Sequence, residues 1–356
     1  MLEEEKILLP GQTPAGEYIL SVLVKRSYSM AGERLTALPL VKGDSCYDHG
    51  DPRITAIEFE TDLIPFKLAT DIIFIGNAYA PDAVESLTAT LQVGAYQKDI
   101  LVIGDRYCQF NGSKTLPSFT EPQPFTEMPI RYERAYGGVD IYAHPELSYP
   151  YPRNPLGKGF VLNNNKQAIQ NLPLPNIEDP LDPLTPERLL VEHIDHWSKQ
   201  PFPQSLGWYP KYCQPRAGYA GILPADKPYA DQMRAAYRPL VPPEQQALYE
   251  QTELPIIDFK FFNGASSGLV VPYLQGNEIV TLSNLTPEGK TTFTLAAEKP
   301  TIHLDIGFGA QQLEVVLHTL TLRQVEQQFD LVWRGALAYP GPTWLPQMQK
   351  LELVIL

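Results

Sequence analysis

Short runs of apolar and β-branched residues recur towards both ends of the chain and predict β-strands. Tyr18–Val24 and Asp71–Tyr79 are two such runs in the N-terminal part. A glycine-containing break at residues 94–98 separates two further runs and predicts a β-hairpin. Seven more runs, divided by turn residues such as Pro287–Gly289, lie between residue 256 and the C-terminus. Strands of this number and spacing are typical of a sandwich or a barrel-like lobe.

The middle of the chain, residues 141–255, has little regular pattern and is dense in proline. Proline supplies 35 of the 356 residues, about twice its usual share, and it favours extended connections over long helices. Two short helices are predicted here, one near Pro186–His193 with Thr185 as its N-cap, and one near Ala225–Tyr237. Because Trp, Tyr and Phe are frequent in this part, we expect it to be packed rather than disordered.

These patterns together predict a mainly β fold. Two β-sandwich-like or barrel-like lobes, residues 1–140 and 256–356, are joined by the proline-rich irregular segment 141–255, which carries a few short helices. A single continuous domain is the alternative organisation.

The charge balance excludes some classes of partner. Asp and Glu number 41 against 28 Lys and Arg, which gives a net charge of −13 at pH 7. Such a field repels phosphate backbones and anionic lipid surfaces, so we expect no nucleic-acid partner and no membrane partner. Met1–Lys6 is acidic where a signal peptide would be basic, and no apolar run approaches the ~18 residues of a membrane span. The expected location is therefore cytoplasmic.

Cysteine and histidine usage gives little support for a metal site. Cys46, Cys108 and Cys213 are widely spaced and odd in number, which favours buried thiols in a reduced compartment. His193 and His196 lie three residues apart beside acidic residues, a spacing that suits two zinc ligands on one helix face. No third ligand follows from the spacing, so a solvated helix end is favoured and no metal or cofactor is expected.

A serine hydrolase is one alternative function. Gly264–Gly268 matches the GxSxG pattern that exposes a nucleophile, here Ser266, between a strand and a helix. Asp305 and His318 follow in a suitable order. The residues after the motif, Leu269–Tyr273, are β-branched and include a proline, which makes a poor helix start. A flexible surface turn is the favoured interpretation.

Residues Arg131–Gly138 combine alternating charges with aromatic residues and end in two glycines. In a strand, Arg131 and Glu133 would share one face and the residues that alternate with them would take the other. An internal salt-bridge network is the favoured interpretation, and an interface anchor is the alternative, because Arg and Tyr are frequent hot-spot residues. Together with aromatic residues of the middle segment, the interface candidates are Arg131, Glu133, Arg134, Tyr136, Trp208, Tyr209 and Tyr212.

Two weaker possibilities stay open. In Asn154–Phe160 two glycines bracket Lys158, so the segment would approach an anion, although a tight turn is the simpler interpretation. Exposed Trp and Tyr side chains on a β-rich protein would also suit a carbohydrate-binding module.

Ten short strings, in order along the chain, carry a resemblance to one protein family. They are Pro65–Asp71, Gly76–Pro81, Gly104–Arg106, Pro124–Pro129, Tyr132–Gly138, Asn154–Phe160, Leu174–Pro180, Phe261–Asn263, Leu285–Gly289 and Leu331–Gly335. The set resembles the domain-of-unknown-function family 2169 and spans about residues 15–340. One departure is local: that family tends to follow Phe-Phe-Asn with Ala-Ala-Pro, whereas Gly264–Ser267 stands here.

The resemblance implies a role in protein binding rather than catalysis. Members of that family are encoded in bacterial type VI secretion clusters, beside spike and toxin genes. They resemble cytoplasmic adaptors or chaperones that bind an effector (toxin) and help load it onto the valine–glycine-repeat (VgrG) spike protein or its PAAR tip. For this chain the resemblance implies the same partners, no cofactor and no catalytic residue. Its acidic charge would steer a basic toxin by complementarity.

Overall fold

Strands make up most of the regular structure in the computed structural model of this protein, which confirms the predicted mainly β class. The structure describes residues 5–110, 116–141, 146–162, 169–191, 194–220, 257–307, 309–341 and 352–355. Two short α-helices occur within these residues, α1 (Pro186–Leu189) and α2 (Arg216–Tyr219). α1 begins where predicted, after Thr185, and is shorter than expected. The other predicted helix, near Ala225–Tyr237, lies outside the described residues.

The described strands form two larger sheets and several short ladders. They are β1 (Glu5–Gln12), β2 (Tyr18–Ser29), β3 (Arg34–Leu35), β4 (Ser45–Cys46), β5 (Ile57–Phe59), β6 (Thr70–Ile75), β7 (Asn77–Val84), β8 (Ser86–Val93), β9 (Tyr96–Ile103), β10 (Cys108–Gln109), β11 (Ser118–Phe119), β12 (Phe125–Pro129), β13 (Tyr136–Gly137), β14 (Val139–Asp140), β15 (Tyr149–Pro150), β16 (Lys158–Gly159), β17 (Ile177–Glu178), β18 (Val270–Val271), β19 (Ile279–Ser283), β20 (Lys290–Thr294), β21 (Ile302–Asp305), β22 (Gln311–Gln312), β23 (Val315–Arg323), β24 (Gln328–Ala338) and β25 (Glu352–Ile355).

The larger sheet has seven strands in the order β1-β2-β24-β23-β6-β18, with β3 paired to β2. β2 pairs antiparallel with β24 along its whole length except its first residue, and β23 pairs in parallel with β6. Every residue of β6 is buried. Its continuous apolar run, Ile72–Ile75, is typical of a strand that is covered on both faces. Strands from both ends of the chain thus share one sheet. The boundaries at 140 and 255 stay predictions.

The second sheet has five strands in the order β17-β9-β8-β19-β20. β8 and β9 form the predicted hairpin, in which Val93 pairs with Tyr96 across a turn that contains Gly94 at φ 56°. Buried and more exposed residues alternate along both strands, so one face of this sheet turns inwards. Side chains of the two sheets meet in the first core, which includes Ile72, Leu91, Val280 and Trp333.

A second core lies within residues 108–191 and packs much of the proline-rich middle. The ring of Tyr151 is at its centre, 5.2 Å from the ring centre of Tyr136 and 5.0 Å from that of Phe160. Leu174 and Leu189 are buried in the same cluster. Short ladders such as β13–β16 and β14–β15 hold the surrounding chain, so the expectation of a packed segment is confirmed for these residues.

The prediction that the cysteines are buried thiols is also confirmed. Cys46, Cys108 and Cys213 are free and buried. Burial raises the pKa of the Cys108 thiol to about 11 and that of the Cys213 thiol to about 12. Among the described helices, none combines the length and the apolar character that a membrane crossing requires.

Candidate functional site

The segment that starts at Arg131 forms a turn, so its side chains do not alternate between two faces as they would in a strand. Tyr132–Arg134 is a 3₁₀ turn, closed by the Arg134 N–H donating to the Arg131 carbonyl at 3.0 Å. Tyr132 is buried in the first core, whereas Glu133 and Arg134 are half-buried. The turn therefore divides these side chains between the core and the surface.

Two glycines after the turn fix the position of the neighbouring loop. Gly137 and Gly138 have φ values of 149° and 110°. A Cβ atom on Gly137 would lie 2.0 Å from the carbonyl oxygen of Asn154, so only glycine fits there. The Asn154 side-chain amide donates to the Tyr132 carbonyl at 2.8 Å and to the Tyr136 carbonyl at 3.1 Å. These bonds hold β13 against β16, which carries Lys158.

The turn and the loop form one side of a surface cleft of about 380 Å³, which we call the charged cleft. Three of the strings that carry the family resemblance supply most of its lining, and none of them is near another in sequence. The lining residues are Asp105, Arg106, Tyr107, Glu133, Arg134, Lys158 and Pro173. A fourth string, Leu174–Pro180, lies behind them and bonds to three of these residues.

The charge of Arg106 is matched inside the protein. Its guanidinium donates to the carboxylate of Glu178, whose side chain is 1% exposed. Glu178 also accepts a bond from the Leu184 N–H at 2.9 Å. Burial raises the pKa of Glu178 and outweighs the opposing effect of Arg106. The Arg106 guanidinium lies 5.3 Å from the ring centre of Phe119, so the side chain is held from both sides.

Arg134 and Lys158 share a single carboxylate. Each has a nitrogen 3.8 Å from the same oxygen of Asp105, whose side chain is about half exposed. Asn176 holds Asp105 and Arg134 in place, since its side-chain amide donates to Asp105 at 3.0 Å and its side-chain oxygen accepts from Arg134 at 3.2 Å. Burial and the neighbouring charge of Arg134 lower the pKa of Lys158, against the effect of Asp105.

Two buried polar atoms of the lining have no hydrogen-bond partner among the described residues. They are Nε of Arg106 and Oε2 of Glu133. The other carboxylate oxygen of Glu133 accepts from the Ala56 N–H at 2.6 Å. The two unpaired atoms are thus buried, and the groups that the cleft offers are two cations that share one carboxylate, which is an arrangement that can bind a polar, charged group.

Several predicted interface candidates are buried. Tyr136, Trp208 and Tyr209 are 1%, 3% and 5% exposed, so in this conformation they support the fold and cannot touch a partner. Arg131 is partly exposed, with its guanidinium 3.9 Å from the ring centre of Tyr47.

The remaining candidates reach the surface. Tyr212 is 45% exposed and donates to the Pro52 carbonyl at 3.0 Å. Glu133 and Arg134 line the charged cleft, so the structure brings together only two of the seven candidates at one site. Asp105, Arg106 and Glu178 are residues that sequence reasoning missed as site residues. The signal that could have identified them is their position within the strings that carry the family resemblance. The two glycines that bracket Lys158 indicated that residue.

Ser266 of the GxSxG pattern is fully buried, so the expected surface turn is wrong at this residue. Its hydroxyl donates to the Gly207 carbonyl at 2.8 Å and lies 2.7 Å from the Tyr132 hydroxyl. Asp305 accepts bonds from two glycine N–H groups in its own loop. Because the hydroxyl and the carboxylate have these separate partners, the geometry gives the hydrolase alternative no support.

His318 belongs to a different buried network. Its Nε2 accepts from the backbone N–H of Lys67 at 3.3 Å, and burial holds its pKa well below the usual range. The Lys67 ammonium donates to Asp71 at 2.7 Å, and Asp71 accepts from the side-chain amide of Asn263 at 3.2 Å. Two resemblance strings, Pro65–Asp71 and Phe261–Asn263, thus meet in the interior, where they tie β6 to the chain before β18.

A metal site and a carbohydrate-binding surface are the remaining alternatives. His193 lies outside the described residues, and within the described part of the chain no group of three His, Cys, Asp or Glu side chains could hold a metal ion. Trp208 and Trp333 are buried and Trp197 is half-buried, whereas Tyr18 and Tyr212 are exposed, so the carbohydrate-binding alternative stays a prediction that rests on tyrosine alone.

A family model described as "Uncharacterized protein conserved in bacteria (DUF2169)" matches residues 15–334, which is most of the chain. No curated protein and no solved structure gives a significant match.

Proposed function

The chain belongs to the bacterial family DUF2169, and we propose that it is a non-enzymatic adaptor or chaperone for an effector of a type VI secretion system. In this proposal the protein binds the effector in the cytoplasm and helps load it onto the VgrG spike or its PAAR tip. The assignment of a secretion role rests on the resemblance of the sequence strings.

The observation that carries the proposal is an exposed apolar hairpin. Val139 on β14 is 42% exposed, Ile141 directly after it is 61% exposed, and Leu147 just before β15 is 53% exposed. Single exposed apolar residues are common on proteins, but a group of them on one short element marks a site for a protein partner. The hairpin directly follows Tyr132–Gly138, so it is joined to the rim of the charged cleft by two glycines.

The scaffold beneath the hairpin suits a docking surface. The Tyr151 N–H donates to the Gly138 carbonyl at 2.9 Å, and the Gly138 N–H donates to the Asn154 carbonyl at 2.8 Å. Because the second core already fixes these segments, binding would order little additional chain and would cost little conformational entropy. The net charge of −13 favours a basic effector.

The proposal is tested by co-expressing the tagged protein with the toxin and spike proteins encoded beside it, followed by affinity purification. We expect the toxin to co-purify and its level to fall when this protein is omitted. The variant V139D/I141D should lose the toxin. The matched control I54D/V325D changes two residues that are 72% and 70% exposed elsewhere and should retain it. Purification of the protein without toxin or spike would refute the adaptor role.

A further inference from the structure

We propose that the outer edge of β20 binds an extended segment of the effector, which adds a strand to the five-stranded sheet. This inference rests on the proposed function, because it takes the effector as the partner and names how a second part of it is held.

The first basis is the contrast between β20 and the other strands that end the two larger sheets. β17 and β18 have two residues each, and β1 contains Pro10 and has Gly11 packed against Pro65. Short strands, proline and covering chain are the usual means that keep a sheet edge from pairing. β20 has five residues, no proline and no register shift, and its one charged residue, Lys290, stands at its start. Its edge is therefore open to pairing.

The second basis is the direction of the backbone groups along β20. The Leu295 N–H donates to the Glu278 carbonyl at 2.9 Å, just beyond the paired residues of β19 and β20. In an antiparallel pair, alternate residues of a strand exchange bonds with the partner strand. Counted back from Leu295, these residues of β20 are Phe293 and Thr291. The residues between them turn their N–H and C=O groups away from β19.

Three residues thus present backbone donors and acceptors at the outer edge of β20. Lys290, Thr292 and Thr294 are all exposed, and the backbone of none of them has a hydrogen-bond partner in the described part of the chain. A row of this kind is matched by another extended backbone, which is how peptides add a strand to a sheet. The inward ring of Phe293 stacks on Phe329 with ring centres 5.5 Å apart, so the edge is held in place before a partner arrives.

Charge and area favour the effector over a second copy of this chain as the occupant. Two copies would each carry −13 and repel one another, whereas the same charge attracts a basic effector. A five-residue edge is also small beside the roughly 1,200 Å² that a stable interface between two folded proteins buries. An effector segment needs less area here, because the hairpin that carries Val139 and Ile141 supplies a second contact.

The test uses the purified full-length protein and the toxin encoded beside it. Thr292→Pro removes an N–H that points away from β19, so the bonds within the hairpin remain while the edge is blocked. The matched control Thr292→Val keeps the N–H and the shape of a strand residue. Urea unfolding checks that both variants are folded, and calorimetry at fixed salt concentration measures toxin affinity. We expect Thr292→Val to bind like the unmodified protein and Thr292→Pro to bind about tenfold more weakly or worse.

Hydrogen exchange of the unmodified protein, resolved to single amides, gives a second measurement that needs no variant. Toxin binding should slow exchange at Thr292 and Thr294, whereas Thr291 and Phe293 already bond to β19 and should change little.

The possible failures are distinguishable. Equal toxin affinity of Thr292→Pro and Thr292→Val, or bound toxin without the alternating protection, would overturn the inference and leave the adaptor proposal standing. Protection that rises with protein concentration in the absence of toxin would show pairing of two copies and overturn the effector as the occupant. An unmodified protein that binds no toxin would overturn the adaptor proposal and this inference with it.

Discussion

Replacing Arg216 with alanine should destabilise the protein strongly, because it breaks a buried ion pair that fastens the middle of the chain to its N-terminal part. Two guanidinium nitrogens of Arg216 each lie 2.6 Å from an oxygen of Glu60, and the two side chains are 4% and 2% exposed. Arg216 also donates to the Tyr209 carbonyl at 2.6 Å and to the Phe261 carbonyl at 2.9 Å. The truncation removes all four bonds together.

The magnitude follows from what stays behind. Removing one partner of a buried pair leaves an uncompensated charge and costs about 3–5 kcal/mol. Lys211 remains 3.4 Å from the Glu60 carboxylate and is partly exposed, so it offsets part of this cost. We therefore expect a loss of about 3 kcal/mol. That is a large fraction of the ~5–15 kcal/mol by which native proteins are stable.

Urea unfolding followed by tryptophan fluorescence measures the loss, since Trp208 and Trp333 are buried. The Arg216→Ala variant should unfold at a clearly lower urea concentration. The control Arg53→Ala removes an arginine whose side chain is 85% exposed and should unfold like the unmodified protein. The double variant E60L/R216M should recover much of the loss, because it removes both charges and keeps apolar volume.

An unfolding midpoint of Arg216→Ala equal to that of Arg53→Ala would refute the reasoning. It would mean that Arg216 does not make the buried contacts on which the packing of the middle segment depends. A double variant as unstable as the single one would place the effect in the lost bonds from Arg216 to the Tyr209 and Phe261 carbonyls rather than in the unpaired carboxylate.

Three further predictions follow from single sites. Gly137→Ala should lower the thermal midpoint, because its φ and its close neighbour exclude a Cβ, whereas Gly43→Ala, with open space around it, should not. Burial lowers the pKa of Lys98 from 10.5 in the unfolded chain to about 8 in the folded protein. Between these two pH values the unfolded chain binds more protons than the folded protein, so the free energy of unfolding increases as the pH rises. Relative to Lys98→Met, the urea midpoint of the unmodified protein should rise across that window; a constant difference would contradict it. The thiols of Cys108 and Cys213, with raised pKa values, should resist a thiol reagent at neutral pH until urea unfolds the chain, and rapid labelling of the native protein would show them to be accessible.

Local signals were sufficient for the parts of the fold that are close in sequence. The hairpin of β8 and β9 follows from two strand-like runs on either side of a break that contains Gly94, and the start of α1 follows from Thr185 and Pro186. The aromatic density of the middle segment indicated packing, and the second core confirms it.

The charged cleft could not be predicted in the same way, because its parts are distant in sequence. Glu133 and Lys158 come together through β13, β16 and the bonds of Asn154, and Asn176 holds Asp105 beside them. The role of Ser266 is non-local as well, since the Tyr132 hydroxyl that covers it lies 134 residues away. Motif spacing therefore suggested an exposed nucleophile where the tertiary structure buries a hydroxyl.

The central claim is that this protein carries an effector to the secretion apparatus, and it is tested most directly in the bacterium that encodes it. The neighbouring effector is measured in cells and in the culture medium, with the gene deleted and with the deletion complemented. The account predicts that deletion removes this effector from the medium and lowers its level in cells, while another effector of the same apparatus is still exported. Normal export of the neighbouring effector from the deletion strain would contradict the account.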